Sequence, residues 1–292
     1  MDKSNNKLFP QMEIAAKAIA LCCNDDGKSP VAKSEVYNET WMLRLALAFI
    51  HDNCDNNIKA FDREKNALLR IAKAVKRRWI SEGGLTPVFK MEGPTWTDAI
   101  LGNVILGKED VRPAKMKKTK RGVAIDNTGD CAGVIVIEAK MNSDIAPGVT
   151  HAGDYNQIAR NIACLAWKVM EYGTIAKESA FFVFAPESKI SNCKIDGYPI
   201  KDYLDYEKVW KTISNQFQSE VDAPEKQREF RKENYCADEQ FRTTIKQIID
   251  NSLIISWEDI IQSVECDESM SLTNFYLKTC EEYKIKTRLT PN

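Results

Sequence analysis

The sequence contains only two histidines, His51 and His151, and no CxxC pair among its nine cysteines. A paired-histidine phosphodiesterase centre and a zinc ribbon are therefore excluded, and an odd cysteine count speaks against a disulfide framework. Reduced, mostly buried thiols are expected, with the adjacent Cys22 and Cys23 lying in an apolar helical pattern where packing explains them. No apolar run approaches the roughly 18 residues that span a bilayer. The opening MDKSNNKLFPQME lacks the basic-then-apolar order of a signal peptide. These absences predict a cytoplasmic protein without a membrane partner. No GxxxxGK[ST] pattern occurs, so ATP-driven translocation by this chain is not expected. Internal repeats and low-complexity linkers are also missing.

What is present suits a folded chain with a core of useful size: 292 residues, 43% hydrophobic and 28% charged. The net charge of −1 points neither toward nor away from nucleic acid, but the cations are clustered. KEDVRPAKMKKTKR, from Lys108 to Arg121, holds seven basic residues and two acids. A second basic stretch runs from Arg63 to Arg78, with Glu64 as its only acid. Either can be a solvated surface, and either can meet phosphates.

Periodicity predicts helices over 8–24, 35–54 and 62–80, the second apolar almost all round and the third stopping at Gly83-Gly84. Short strands follow at 86–91, at 97–106 with a kink at Gly102-Asn103, and at 123–125. GVIVIEAK (133–140) is the clearest strand of all. Ile158, Ile162, Leu165 and Val169 form one apolar stripe of a helix over 152–172, and AFFVFA (180–185) is another buried strand. Residues 200–285 read as mainly helical, with one short apolar strand at Leu253–Ser256. This order predicts an α/β fold, a central mixed β-sheet flanked by helices with additional N- and C-terminal helices. The expected division is an N-terminal helical extension (1–34), a core (35–186) and a mainly helical region packed on it (187–292).

In GVIVIEAK, alternation puts Glu138 and Lys140 on the face of Val134 and Val136, while Ile135, Ile137 and Ala139 line the other. Charges at the end of so apolar a strand are unfavourable unless paired or bound to an ion. Asp98 opens the earlier strand TDAIL. If those strands are neighbours, Asp98 and Glu138 converge on one divalent cation, with Lys140 within reach of a water bound to it.

An aspartate at a strand start followed by E-x-K on the next core strand resembles the PD-(D/E)xK nuclease superfamily. Two further residues match. That family often carries a glutamine on the helix after E-x-K, here Gln157 in DYNQIARNIACLAW. Many members also place a glutamate on an N-terminal core helix, here Glu39 in NETWMLRLAL. The resemblance covers about residues 35–185 and implies a restriction endonuclease-like core. Two features depart from the pattern: Thr97 stands where many members have proline, and 40 residues separate Asp98 from Glu138. Asp126 and Asp130 are nearer in sequence and compete with Asp98, which is preferred because it adjoins an apolar strand.

The resemblance implies a Mg²⁺-dependent phosphodiesterase, with Mn²⁺ substituting. The metal would be held by Asp98, Glu138 and the Ala139 carbonyl, with Lys140, Gln157 and Glu39 completing the catalytic set. The expected substrate is double-stranded DNA, contacted by Lys115, Lys117, Lys118, Lys120 and Arg121 of the basic segment and by Arg160, which shares a polar helix face with Gln157 and Asn161. His151 and Asp154 lie just before that helix, and His151 reads as a loop histidine. Cutting both strands of a duplex takes two active sites, which points to a homodimer on symmetry grounds. The alternatives are an RNA or single-stranded DNA nuclease of the same fold, a catalytically inert nucleic-acid-binding module, or an unrelated α/β protein whose acids stay apart.

Overall fold

The computed structural model describes residues 8–21, 33–53, 62–89, 95–109, 122–125, 133–143, 145, 155–171, 178–192, 194–195, 198–221, 239–263 and 269–290. In chain order come helices α1 (Leu8–Leu21), α2 (Lys33–Val36), α3 (Glu39–Asn53) and α4 (Asp62–Val75). Strands β1 (Trp79–Leu85), β2 (Thr95–Leu101), β3 (Val104–Glu109), β4 (Gly122–Ile125) and β5 (Ile135–Ala139) follow. Helix α5 (Gln157–Glu171) then leads to β6 (Ala180–Ala185), α6 (Glu187–Asn192) and a short pair, β7 (Lys194–Ile195) and β8 (Tyr198–Pro199). A 3-10 turn (Ile200–Leu204) precedes α7 (Tyr206–Val221), α8 (Glu239–Asn251), β9 (Leu253–Ser256), α9 (Trp257–Gln262) and α10 (Ser269–Tyr283).

Seven strands form one mixed sheet in the order β3-β4-β1-β2-β5-β6-β9. Strand β5 lies at its interior, antiparallel to β2 and parallel to β6. Helices cover both faces, which is why β5 and β6 are fully buried and apolar throughout except at Glu138. Ile158, Ile162 and Leu165 of α5, Ile213 of α7 and Ile245 of α8 pack with Val134 and Val136 on one face. On the other, α1, α3, α4, α9 and α10 pack with Ile135, Ile137 and Ala139. The expected alternation of GVIVIEAK is what the two cores use. Strand β9, from the region past residue 186, joins this same sheet beside β6.

Two strand expectations differ from what forms. The helix read over 62–80 ends at Val75, and Trp79 to Leu85 is strand, running through the glycine pair that was read as its stop. A Cβ on Gly83 would come within 2.9 Å of both Ile100 Cδ1 and Val123 Cγ2, so glycine here admits close packing of neighbouring side chains and does not end an element. Within 86–91, the described residues Thr86–Phe89 are not strand. The kink at Gly102 is a complete break: φ is +113° there, and the chain leaves β2 to form β3 at the far edge, paired with β4. Among the described residues no helix is long and apolar enough to cross a membrane.

Candidate active site

The site is built at the end of β5. Strand β2 pairs with β5 through Ala99–Ile137, Ile100–Val136 and Leu101–Ile135. One further step in that register sets Asp98 across from Glu138, on the face shared with Ile100 and Val136. The 40-residue separation is bridged because β3 and β4 occupy the far side of the sheet.

The backbone past this point is held residue by residue. The Ala139 N–H donates to Asp98 Oδ2 at 2.7 Å. The Lys140 N–H donates to the Phe184 carbonyl at 2.7 Å, and the Met141 N–H to Glu39 Oε2 at 2.6 Å. Glu39 starts α3, a position that suits its charge, and Asn38 caps that helix by accepting the Trp41 N–H at 3.0 Å. Ser143 Oγ donates to Glu39 as well, at 2.9 Å from Oε1. Two carboxylates, one from the neighbouring strand β2 and one from helix α3, therefore grip the backbone on either side of Lys140.

Glu138 is 2% exposed. Its Oε1 accepts from Lys140 Nζ and from Gln157 Nε2, both at 2.6 Å. Asn161 Nδ2 lies 3.4 Å from its Oε2, while Asn161 Oδ1 is buried without a hydrogen-bond partner among the described residues. Burial, and then the charge of Asp98, push the Glu138 carboxyl up to about 8. Asp98 and Glu39 are shifted upward too, in each case chiefly by burial. For Lys140, burial works against the ammonium, but Glu138, Asp98 and Glu39 together outweigh it and the net shift is upward. The cluster thus favours a bound proton on Glu138 and a positive Lys140.

Asp98, Glu138, Lys140, Gln157 and Glu39, each expected from sequence, are brought to this one point. Arg160 is not tied into it; its Nε is buried without a hydrogen-bond partner among the described residues. Lys115, Lys117, Lys118, Lys120 and Arg121 lie outside the described residues, as do Asp126, Asp130, His151 and Asp154.

Two contributors, Glu82 and Trp257, carry no such expectation from sequence. Glu82 interrupts the β1–β2 ladder opposite Asp98, with φ at +58°, and its charge helps raise the Asp98 pKa. Arg44 stands 3.9 Å from it. The only signal in sequence was an acid beside the Gly-Gly pair. Asn161, expected on a polar face turned toward the site or the substrate, does reach the site, with Glu138 as its partner. Trp257 donates its indole N–H to the Lys140 carbonyl at 3.0 Å across 117 residues, for which no local pattern exists.

Among the described residues no group of three or more His, Cys, Asp or Glu side chains is gathered so as to hold an ion unaided. The oxygen donors at hand are two facing carboxyls and strand-end carbonyls. Set against known protein families, curated proteins and solved structures, the chain matches none.

Proposed function

We propose that this chain is a metal-dependent nuclease with a restriction endonuclease-like core, hydrolysing phosphodiester bonds in DNA at the end of β5. The observation that carries the reading is the convergence of Asp98, Glu138 and Lys140 with Glu39 and Gln157, from four separate segments, around one strand end. Residues merely scattered over a surface would have no reason to meet there.

The donor chemistry fits Mg²⁺ or Mn²⁺. Two facing acids, one of them with its ionised form strongly disfavoured by burial and by the other, form a place that a divalent cation would relieve. Mg²⁺ commonly takes one or two carboxylates and keeps several waters, so three protein acids are not required. Asp98, Glu138 and the Ala139 carbonyl would hold it. When bound, it supplies Lewis-acid polarisation and charge neutralisation at the phosphoryl group.

The chain's own residues do the rest. Lys140, kept positive by its carboxylate neighbours, acts as a charged hydrogen-bond donor toward the attacking water and the phosphoryl oxygens. It is not a proton acceptor in this setting. Gln157 and Asn161 orient the Glu138 carboxyl from α5, and Glu39 holds the turn after Lys140 so that the ammonium keeps its aim.

The test is cleavage of plasmid, single-stranded DNA and RNA in Mg²⁺, Mn²⁺ or EDTA, by wild type, Asp98→Ala and Lys140→Ala. Metal-dependent cutting that drops at least about a hundredfold in both variants is expected. Cutting that survives Asp98→Ala moves the acidic ligand to Asp126 or Asp130. Tight metal-independent binding without cleavage of any substrate would mark an inert binding module and overturn the assignment.

A further inference from the structure

Lys140 sits one residue past the end of β5: its N–H makes the last bond of the β5–β6 ladder, while its carbonyl lies beyond that ladder. That carbonyl is engaged by a side chain, Trp257, which packs on the ladder partner Phe184. The Lys140 N–H donates to the Phe184 carbonyl at 2.7 Å, and its carbonyl accepts from Trp257 Nε1 at 3.0 Å. The Trp257 and Phe184 rings meet edge to face, 5.2 Å apart and 75° inclined. Trp257 itself is wholly buried. A side chain that only filled this space could be phenylalanine; a buried indole needs an acceptor, and the acceptor here is the lysine of the site.

The indole is held firmly. It opens α9, whose N-cap Ser256 accepts from the Asp259 N–H at 2.9 Å. The next residue, Glu258, is fully buried, and its carboxylate accepts from the Glu187 N–H at 3.0 Å, Tyr276 Oη at 2.8 Å and Thr287 Oγ1 at 3.0 Å. Elements α6, α10 and the segment after it therefore converge on the first turn of α9 and fix where the indole points.

We infer that Trp257 is a positioning residue for Lys140, fixing the backbone of that residue so that its ammonium meets Glu138. It lies about 70 residues beyond the stretch on which the family resemblance rests, and it acts only through Lys140.

Trp257→Phe removes the N–H and keeps most of the ring. Hydrogen exchange followed by NMR is expected to show protection of the Lys140 and Met141 amides falling by roughly tenfold or more. Val136, Ile137 and Val183 should keep theirs. Unchanged protection at 140 and 141, or an equal loss along β5 and β6, overturns the inference. The kinetic arm alone rests on the nuclease reading: kcat should fall roughly 10- to 100-fold with KM unchanged, and a KM effect without a kcat effect overturns it. If wild type cuts no substrate, that reading fails while the exchange arm still decides the role of Trp257. Should Trp257→Phe not fold, wild type decides: a slowly exchanging Trp257 indole, coupled through the hydrogen bond to the Lys140 carbonyl carbon, is expected, and its absence overturns the inference.

Discussion

Replacing Glu138 with glutamine is expected to stabilise the protein above neutral pH, although it removes an acid from the centre of the site. A Glu138 carboxyl displaced from 4.5 to about 8 holds its proton in the folded state and loses it in the unfolded state throughout that interval. The folded chain therefore binds more protons than the unfolded one, and stability falls as pH rises from about 4.5 to 8. At about 1.4 kcal/mol per pH unit, the full displacement corresponds to a loss of about 5 kcal/mol by pH 9. Glutamine mimics the protonated acid and carries no such loss. It also fits: its oxygen can keep accepting from Lys140 and Gln157, and its new N–H₂, standing where Oε2 meets Asn161 Nδ2, is accepted by Asn161 Oδ1 once that amide turns over. Urea unfolding of both proteins at pH 5 and pH 9 is the assay. Wild type should lose about 3–5 kcal/mol more than Glu138→Gln between those two pH values. Parallel profiles, within about 1 kcal/mol, would refute the claim that Glu138 is held neutral by burial and Asp98.

The same proton competes with a cation. Mg²⁺ or Mn²⁺ affinity, followed by calorimetry, should rise with pH up to about 8 and then level off, with proton release on binding below that point; affinity that ignores pH would contradict the expectation. Gly102→Ala should destabilise the fold by about 3 kcal/mol in urea titration, because φ is +113° and the new Cβ would lie 2.7 Å from the Gly133 carbonyl oxygen; a loss below about 0.5 kcal/mol would show that the β2–β3 break relaxes easily.

Most of the site was legible because its residues announce themselves locally. Glu138 and Lys140 are charges at the end of a strand otherwise apolar on both faces, Asp98 directly precedes the apolar half of β2, and Glu39 stands at the start of an apolar helix. Such residues need partners, and their order along the chain suggests which. The missed parts rest on pairings that no window of sequence contains. The β1 strand was hidden because Gly83 and Gly84 look like a helix stop, whereas the need for Gly83 comes from Ile100 and Val123 on neighbouring strands. The kink at Gly102-Asn103 was legible, but not that the chain past it leaves β2 altogether to pair with β4. Trp257 carries no signal of its role, since nothing near it in sequence tells that its N–H finds the carbonyl of residue 140.

The pairing of β6 with β9 has a consequence for the order of events during synthesis. Phe182 meets Leu253, and Ala185 meets Ser256, so this edge of the sheet waits on about 70 further residues after β6 has emerged. A growing chain that has passed Gln157 already carries Asp98, Glu138, Lys140 and Glu39, yet it lacks both β9 and the indole that follows it. The backbone around Lys140 can take its final form only when translation has run beyond Trp257. A chain made only as far as Gln157 thus lacks two of the partners that order this end of the sheet.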